Sequence, residues 1–130
     1  MDLERQLLEL GKRFLLARDL RWKARYGEAV ALYQKVLDGL GSVGLGETVD
    51  AALCLRELGI THLSSAQYDE AILELAAALR CLERSVAGTG FLPGAEVNGI
   101  VSVCRSYLEA LELGDRGILG VLREDARYRP

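Results

Sequence analysis

A self-match at a spacing of 42 residues constrains this chain more than any other feature. The segment RYGEAVALYQKVLDGL, Arg25 to Leu40, aligns with QYDEAILELAAALRCL, Gln67 to Leu82. The offset pairs Tyr26 with Tyr68, Glu28 with Glu70, Ala29 with Ala71, Val30 with Ile72, Leu37 with Leu79 and Leu40 with Leu82. Upstream it pairs Leu16 with Leu58 and Ala17 with Gly59. A fixed period of this length marks a supersecondary unit that cannot bury its apolar face alone and must stack on a neighbour.

Each unit reads as two helices. Ala52, Leu55, Leu58, Gly59, His62 and Leu63 recur at spacings of three and four, the stripe of an amphipathic helix. The polar stretch Ser64 to Gln67 interrupts it, and Tyr68, Ala71, Ile72, Leu75, Ala78, Leu79 and Leu82 then form a second stripe. Gly59 and Ala71 fall where the two helices of this hairpin cross, and Ala17 and Ala29 sit equivalently in the first unit. A mid-helix glycine costs up to about 1 kcal/mol against alanine, so its presence points to close packing. The pattern predicts helices near 2–22, 26–40, 48–65, 68–86, 95–112 and 115–127. Thr48 and Asp115 are the expected N-caps of the third and last helices, and Pro93 cannot continue the fourth.

The fold expected is therefore all-α, an α-solenoid of three antiparallel helix hairpins in a single domain, 1–130, with hairpins near 1–41, 47–87 and 94–127. The third unit is degenerate. Gly114 to Ile118 aligns with Tyr68 to Ile72 only after a four-residue insertion, which puts Arg105, or Val101, opposite Gly59.

Composition removes several functions. A net charge of −3 argues against coating nucleic acid, which rests on clustered Lys and Arg. Cys54, Cys81 and Cys104 are odd in number and lack a CxxC pair, so buried thiols in a reducing, cytoplasmic setting are expected rather than a metal site. The charged amphipathic N-terminus is not a signal peptide, and no apolar run reaches the roughly 18 residues that cross a membrane. Gly39, Gly41 and Gly44 spell G-x-G-x-x-G but follow a helical pattern, where a dinucleotide site needs a strand. With His62 alone and no nearby nucleophile, no catalytic, metal or cofactor residues are expected, and the chain reads as no enzyme. His62 is expected to pack or hydrogen-bond on its helix, and Glu4, Glu9, Asp69, Glu70 and Glu74 to form a solvated face.

This pattern resembles the tetratricopeptide repeat family. Leu58-Gly59, Tyr68, Ala71, Leu75 and Ala78 stand where that family's hairpin signature places its large and small packing residues, and Leu16-Ala17, Tyr26, Ala29, Tyr33 and Val36 repeat it. The standard period is about 34 residues; the longer one here is similar to the subclass found in kinesin light chains. The resemblance implies a protein–protein interaction module, an adaptor or assembly scaffold. Its ligand would lie on the concave face lined by the first helix of each hairpin. That face would carry Phe14, Arg18, Arg21 and Trp22, then Arg56, Ile60 and Leu63, then Asn98, Ser102 and Arg105. Arginines beside apolar residues suit a peptide with acidic and aromatic or aliphatic side chains. The terminal-carboxylate clamp of chaperone-binding members is not reproduced, since its asparagine is missing from the middle hairpin. The alternative is a structural subunit that buries apolar edges in a homo-oligomer or larger complex.

Overall fold

The computed structural model describes residues 2–89, 94–114 and 116–128, which form six α-helices and, among themselves, no strand. They are α1 (Leu3–Trp22), α2 (Tyr26–Ser42), α3 (Val49–Ser64), α4 (Tyr68–Thr89), α5 (Gly94–Leu113) and α6 (Arg116–Tyr128). Thr48 caps α3 as expected, its hydroxyl oxygen accepting from the Ala51 amide at 3.3 Å. Pro93 and Asp115 lie outside the described residues.

The period is written into the turns as well as the stripes. Ala24 and Ala66, 42 residues apart, both take the left-handed conformation at φ 60° and 63°. The chain reverses at each by the same bonds. Ala24 N donates to Arg21 O and Arg25 N to Leu20 O, while Ala66 N donates to Leu63 O and Gln67 N to His62 O. This six-to-one closure terminates a helix by satisfying its last carbonyls. It turns α2 back on α1 and α4 back on α3.

Small residues set how closely the paired helices approach. A Cβ built on Gly59 would lie 2.7 Å from Leu75, so α3 and α4 touch backbone to side chain at that point. Ala17 and Ala29 are fully buried at the equivalent crossing. Gly59 stands seven residues before the turn at Ala66, and Ala17 seven before Ala24. The third turn is at Gly114, φ 65°, whose amide donates to Leu111 O. Counting back seven gives Tyr107, neither Arg105 nor Val101, so the insertion is six residues rather than four.

That tyrosine changes the packing. A buried phenol ring stands where the second hairpin has no side chain, and α5 and α6 meet only sparsely. Helix α6 packs instead mainly against α3, and touches α1. The six-helix, all-α repeat stands as expected, but its last two helices do not close like the first two pairs. Helix α3 is consequently covered on every side over its second half, and every residue from Glu57 to Ser64 is buried.

Candidate functional site

Three cationic side chains converge on one carboxylate between α1 and α3. Glu57 is fully buried. Arg21 Nη2 lies 3.1 Å from its Oε2, and Arg18 Nη2 and Arg56 Nη2 lie 3.3 and 2.8 Å from its Oε1. Arg18 and Arg21, three apart on α1, share a face toward α3, and Arg56 reaches the carboxylate from the neighbouring position. Tyr33 of α2 donates its hydroxyl to Glu57 Oε2 at 3.4 Å.

Burial alone would raise the Glu57 carboxyl. The charge of Arg21, the hydrogen bond and charge of Arg56 and the charge of Arg18 outweigh it and hold the group below its ordinary range. Burial, then the Glu57 charge, pushes the Tyr33 hydroxyl up. Glu57 is thus an anion and Tyr33 a neutral donor at neutral pH.

Arg18 and Arg56 differ from Arg21 in exposure. Their side chains are 26% and 16% exposed, against 1% for Arg21. Both lean on the same carboxylate oxygen, and the Nε atoms of both are buried without an acceptor. One shared oxygen leaves positive charge over at this edge. Arg18 also lies between two rings four residues either side, 5.2 Å from Phe14 and 6.0 Å from Trp22. Phe14 packs edge-on against Tyr33 at 5.5 Å. Phe14 further lines a mostly apolar hollow with Leu7 and Gly11 of α1 and Asp50 and Leu53 of α3.

Arg18, Arg21 and Arg56, expected on one open face, meet instead on the buried Glu57, with Phe14 beside Arg18. Three residues expected on an open groove are interior: Arg21 is locked on Glu57, and Ile60 and Leu63 are fully buried. The expectation treated the inner face of α3 as free, whereas α6 packs on that helix. Asn98 and Arg105 are exposed and border a separate depression with Leu79, Leu82 and Glu83 of α4; Ser102 is exposed on α5. Glu57 and Tyr33 were not among the expected site residues. The available signal was a lone glutamate at the position where the preceding unit carries Leu15.

Other groups have structural partners. Glu74 is not part of the solvated face, because His62 Nδ1 lies 2.6 Å from its Oε1, both largely buried. The three cysteines are buried and free of disulfides. Burial, then the charges of Glu57 and Glu74, pushes Cys54 up to about 12, and burial pushes Cys104 up to about 11, so neither is an ionised thiol near neutrality. Among the described residues no group of three or more His, Cys, Asp or Glu side chains is placed to hold a metal, and no helix is long and apolar enough to cross a membrane.

Helix α1 also presents an apolar stripe to solvent. Leu8, Leu15 and Trp22 recur every seven residues and are 59%, 61% and 52% exposed, with Leu16 beside them.

A family model described as Tetratricopeptide repeat matches residues 11–87, more than half of the chain, from the middle of α1 to near the end of α4. Comparisons with curated proteins and with solved structures return no match.

Proposed function

The chain belongs to the tetratricopeptide repeat family, a family of protein–protein interaction modules, and from that premise we propose that it holds an acidic segment of a partner protein at the inner edge of α1 and α3. The observation that carries this reading is the sharing of one Glu57 oxygen by Arg18 and Arg56, both reaching solvent beside the hollow of Leu7, Phe14 and Leu53. A partner carboxylate there supplies the missing negative charge, and an apolar side chain fills the hollow. Arg18, held between two rings, gives up little side-chain freedom on binding, which favours affinity. The role is that of a non-catalytic adaptor or assembly scaffold, and the buried free thiols suit a cytoplasmic setting. The 42-residue offset favours the long-period subclass.

Retention of a partner from native extract on the immobilised full chain tests this. Retention should fall with added salt, as screened charges require, and fall again in Arg18→Gln, in which Arg21 and Arg56 still hold Glu57. Undiminished retention by a folded Arg18→Gln chain at every salt concentration sinks the basic edge.

The exposed stripe Leu8, Leu15, Leu16 and Trp22 supports a second reading, a structural subunit that buries this face against another copy or a larger complex. Light scattering should then show a mass that rises with concentration, and Leu15→Glu should return it to the monomer.

A further inference from the structure

The inner face beyond the arginine edge is not empty, and what fills it is part of the chain itself. Helix α6 packs mainly on α3, three helices upstream, rather than on its neighbour α5. Ala126 is completely buried, and Asp125 accepts a 2.6 Å hydrogen bond from the Tyr107 hydroxyl. It is the most strongly amphipathic of the six helices. It also lies outside the residues that match the repeat family. We propose that α6 is an intramolecular occupant of the inner face, and that the natural ligand of that face is an amphipathic helix from a partner protein, which displaces α6. The proposal extends the inner-face reading above by naming the form of the ligand.

Several observations make α6 a guest rather than a fixed part of the core. It has 13 residues, including Gly117 and Gly120, and a helix of that length is marginal in water without packing. It joins α5 through Gly114, whose left-handed conformation lets the chain leave the α5 axis. Its fit is also incomplete. Arg123 lies three residues from Ala126 and so on the same face, yet its Nε is buried without an acceptor. A face that already carries spare positive charge at Arg18 and Arg56 is a poor host for another cation. A partner helix with a carboxylate in that place, and a small residue where α6 has Ala126, fits better than α6 does.

A tethered occupant competes at an effective concentration on the order of millimolar, so the free face is rarely available. If it is open in about one molecule in a hundred, apparent affinity for any ligand of that face is weakened about a hundredfold.

The experiment uses a fluorescent peptide of residues 115–128 as the probe and the full chain as host. Ala126→Asp places a charge at a fully buried point and should release α6, so that the variant binds the peptide up to about a hundredfold tighter than wild type. Tyr107→Phe removes the hydroxyl that donates to Asp125 and should give a smaller gain, up to about tenfold. A probe peptide with Arg123→Glu should bind the Ala126→Asp chain on the order of tenfold tighter than the unmodified probe. Equal affinity of wild type and Ala126→Asp, with α6 amides exchanging freely in the variant, overturns the proposal. Should Ala126→Asp fail to fold, Tyr107→Phe decides, and an affinity equal to wild type overturns it again. Equal or weaker binding of the Arg123→Glu probe overturns the acidic-helix assignment of the ligand. A null result here with salt-sensitive, Arg18-dependent retention of a native partner removes the α6 proposal alone. The reverse pair of results removes the arginine edge alone.

Discussion

At the crossing of α3 and α4, Gly59 leaves room for Leu75, and the two helices pack more closely than any other pair. Seven residues before the corresponding turn of α5 stands Tyr107, and α6 has left its partner for α3. Helices α1 and α2, with Ala17 at that point, pack less tightly than the second hairpin and far more tightly than the third pair. Approach thus falls as the side chain at one position grows from hydrogen to methyl to phenol. A hairpin in this fold depends on a notch, and a helix refused the notch seeks apolar surface elsewhere. Here the nearest such surface is the inner face on which a ligand is expected.

The two regions also differ in their polar cores. Between α1 and α3, Glu57 is enclosed by three guanidinium groups and Tyr33. Between α5 and α6 the Tyr107 hydroxyl donates to Asp125 at 2.6 Å, with no comparable cluster of charges among the described residues. The largest expected effect therefore lies at Glu57. Replacing it with Gln leaves buried cations without their anion, which costs about 3–5 kcal/mol. That is a large share of the 5–15 kcal/mol typical of a whole domain. Chemical denaturation of Glu57→Gln should show it, and a midpoint close to wild type would mean that the arginines find other anions.

Acid titration examines the same carboxylate without a substitution. Its pKa is lower folded than unfolded. The stability it contributes is fully present above the unfolded value, about 4.3. It is lost as pH falls from there through the folded value. Wild-type stability should decline over that acid window with an extra slope that Glu57→Gln lacks. Parallel profiles for the two chains would show Glu57 titrating alike folded and unfolded.

The notch itself comes next. Ala71→Leu places three more carbons at the α3–α4 crossing, where Gly59 already faces Leu75 and the Ala71 carbonyl, and should cost on the order of 1–3 kcal/mol. An unchanged melting temperature would mean that this pair does not cross at Gly59. Substitution of exposed Ser102 on α5 should change stability by no more than about 0.5 kcal/mol.

The sequence carried the repeat because the same physics acts at equivalent places. Tyr26 and Tyr68 open second helices, and Ala17, Gly59, Ala29 and Ala71 mark crossings, so their sizes survive the 42-residue offset. The turns at Ala24 and Ala66 were less visible, since alanine gives no sign of a left-handed backbone. In the third unit the insertion length hid Tyr107, and with it the reason for the departure of α6. The arginines could be placed on one face by spacing alone. Their capture by Glu57 could not, because a mid-helix glutamate reads as surface until the neighbouring helices are known. Spacing alone puts Ile60 and Leu63 on an open face for the same reason: a helix covered by a distant segment leaves no periodic mark of its cover.

A comparably small effect on global stability belongs to Tyr107→Phe, and it separates the two regions most sharply. The change keeps the ring that fills the α5 position and removes only the hydroxyl that reaches Asp125. If α6 opens independently of the first two hairpins, the lost bond raises the population of the opened form without loosening α1–α4, since local units exchange at their own free energies. With α6 already open ahead of the main transition, denaturation followed by far-ultraviolet circular dichroism should then shift by no more than about 0.5 kcal/mol. Amide exchange within 116–128 should accelerate up to about tenfold, the value of one ordinary hydrogen bond. Exchange in α3 over 57–64 should respond weakly, because Gly59, Leu75 and the Glu57 cluster hold that helix from its other sides. A uniform acceleration across all six helices would mean that α6 unfolds only with the whole chain. In that case the third pair, for all its sparse packing, belongs to the same cooperative unit as the hairpins with notches.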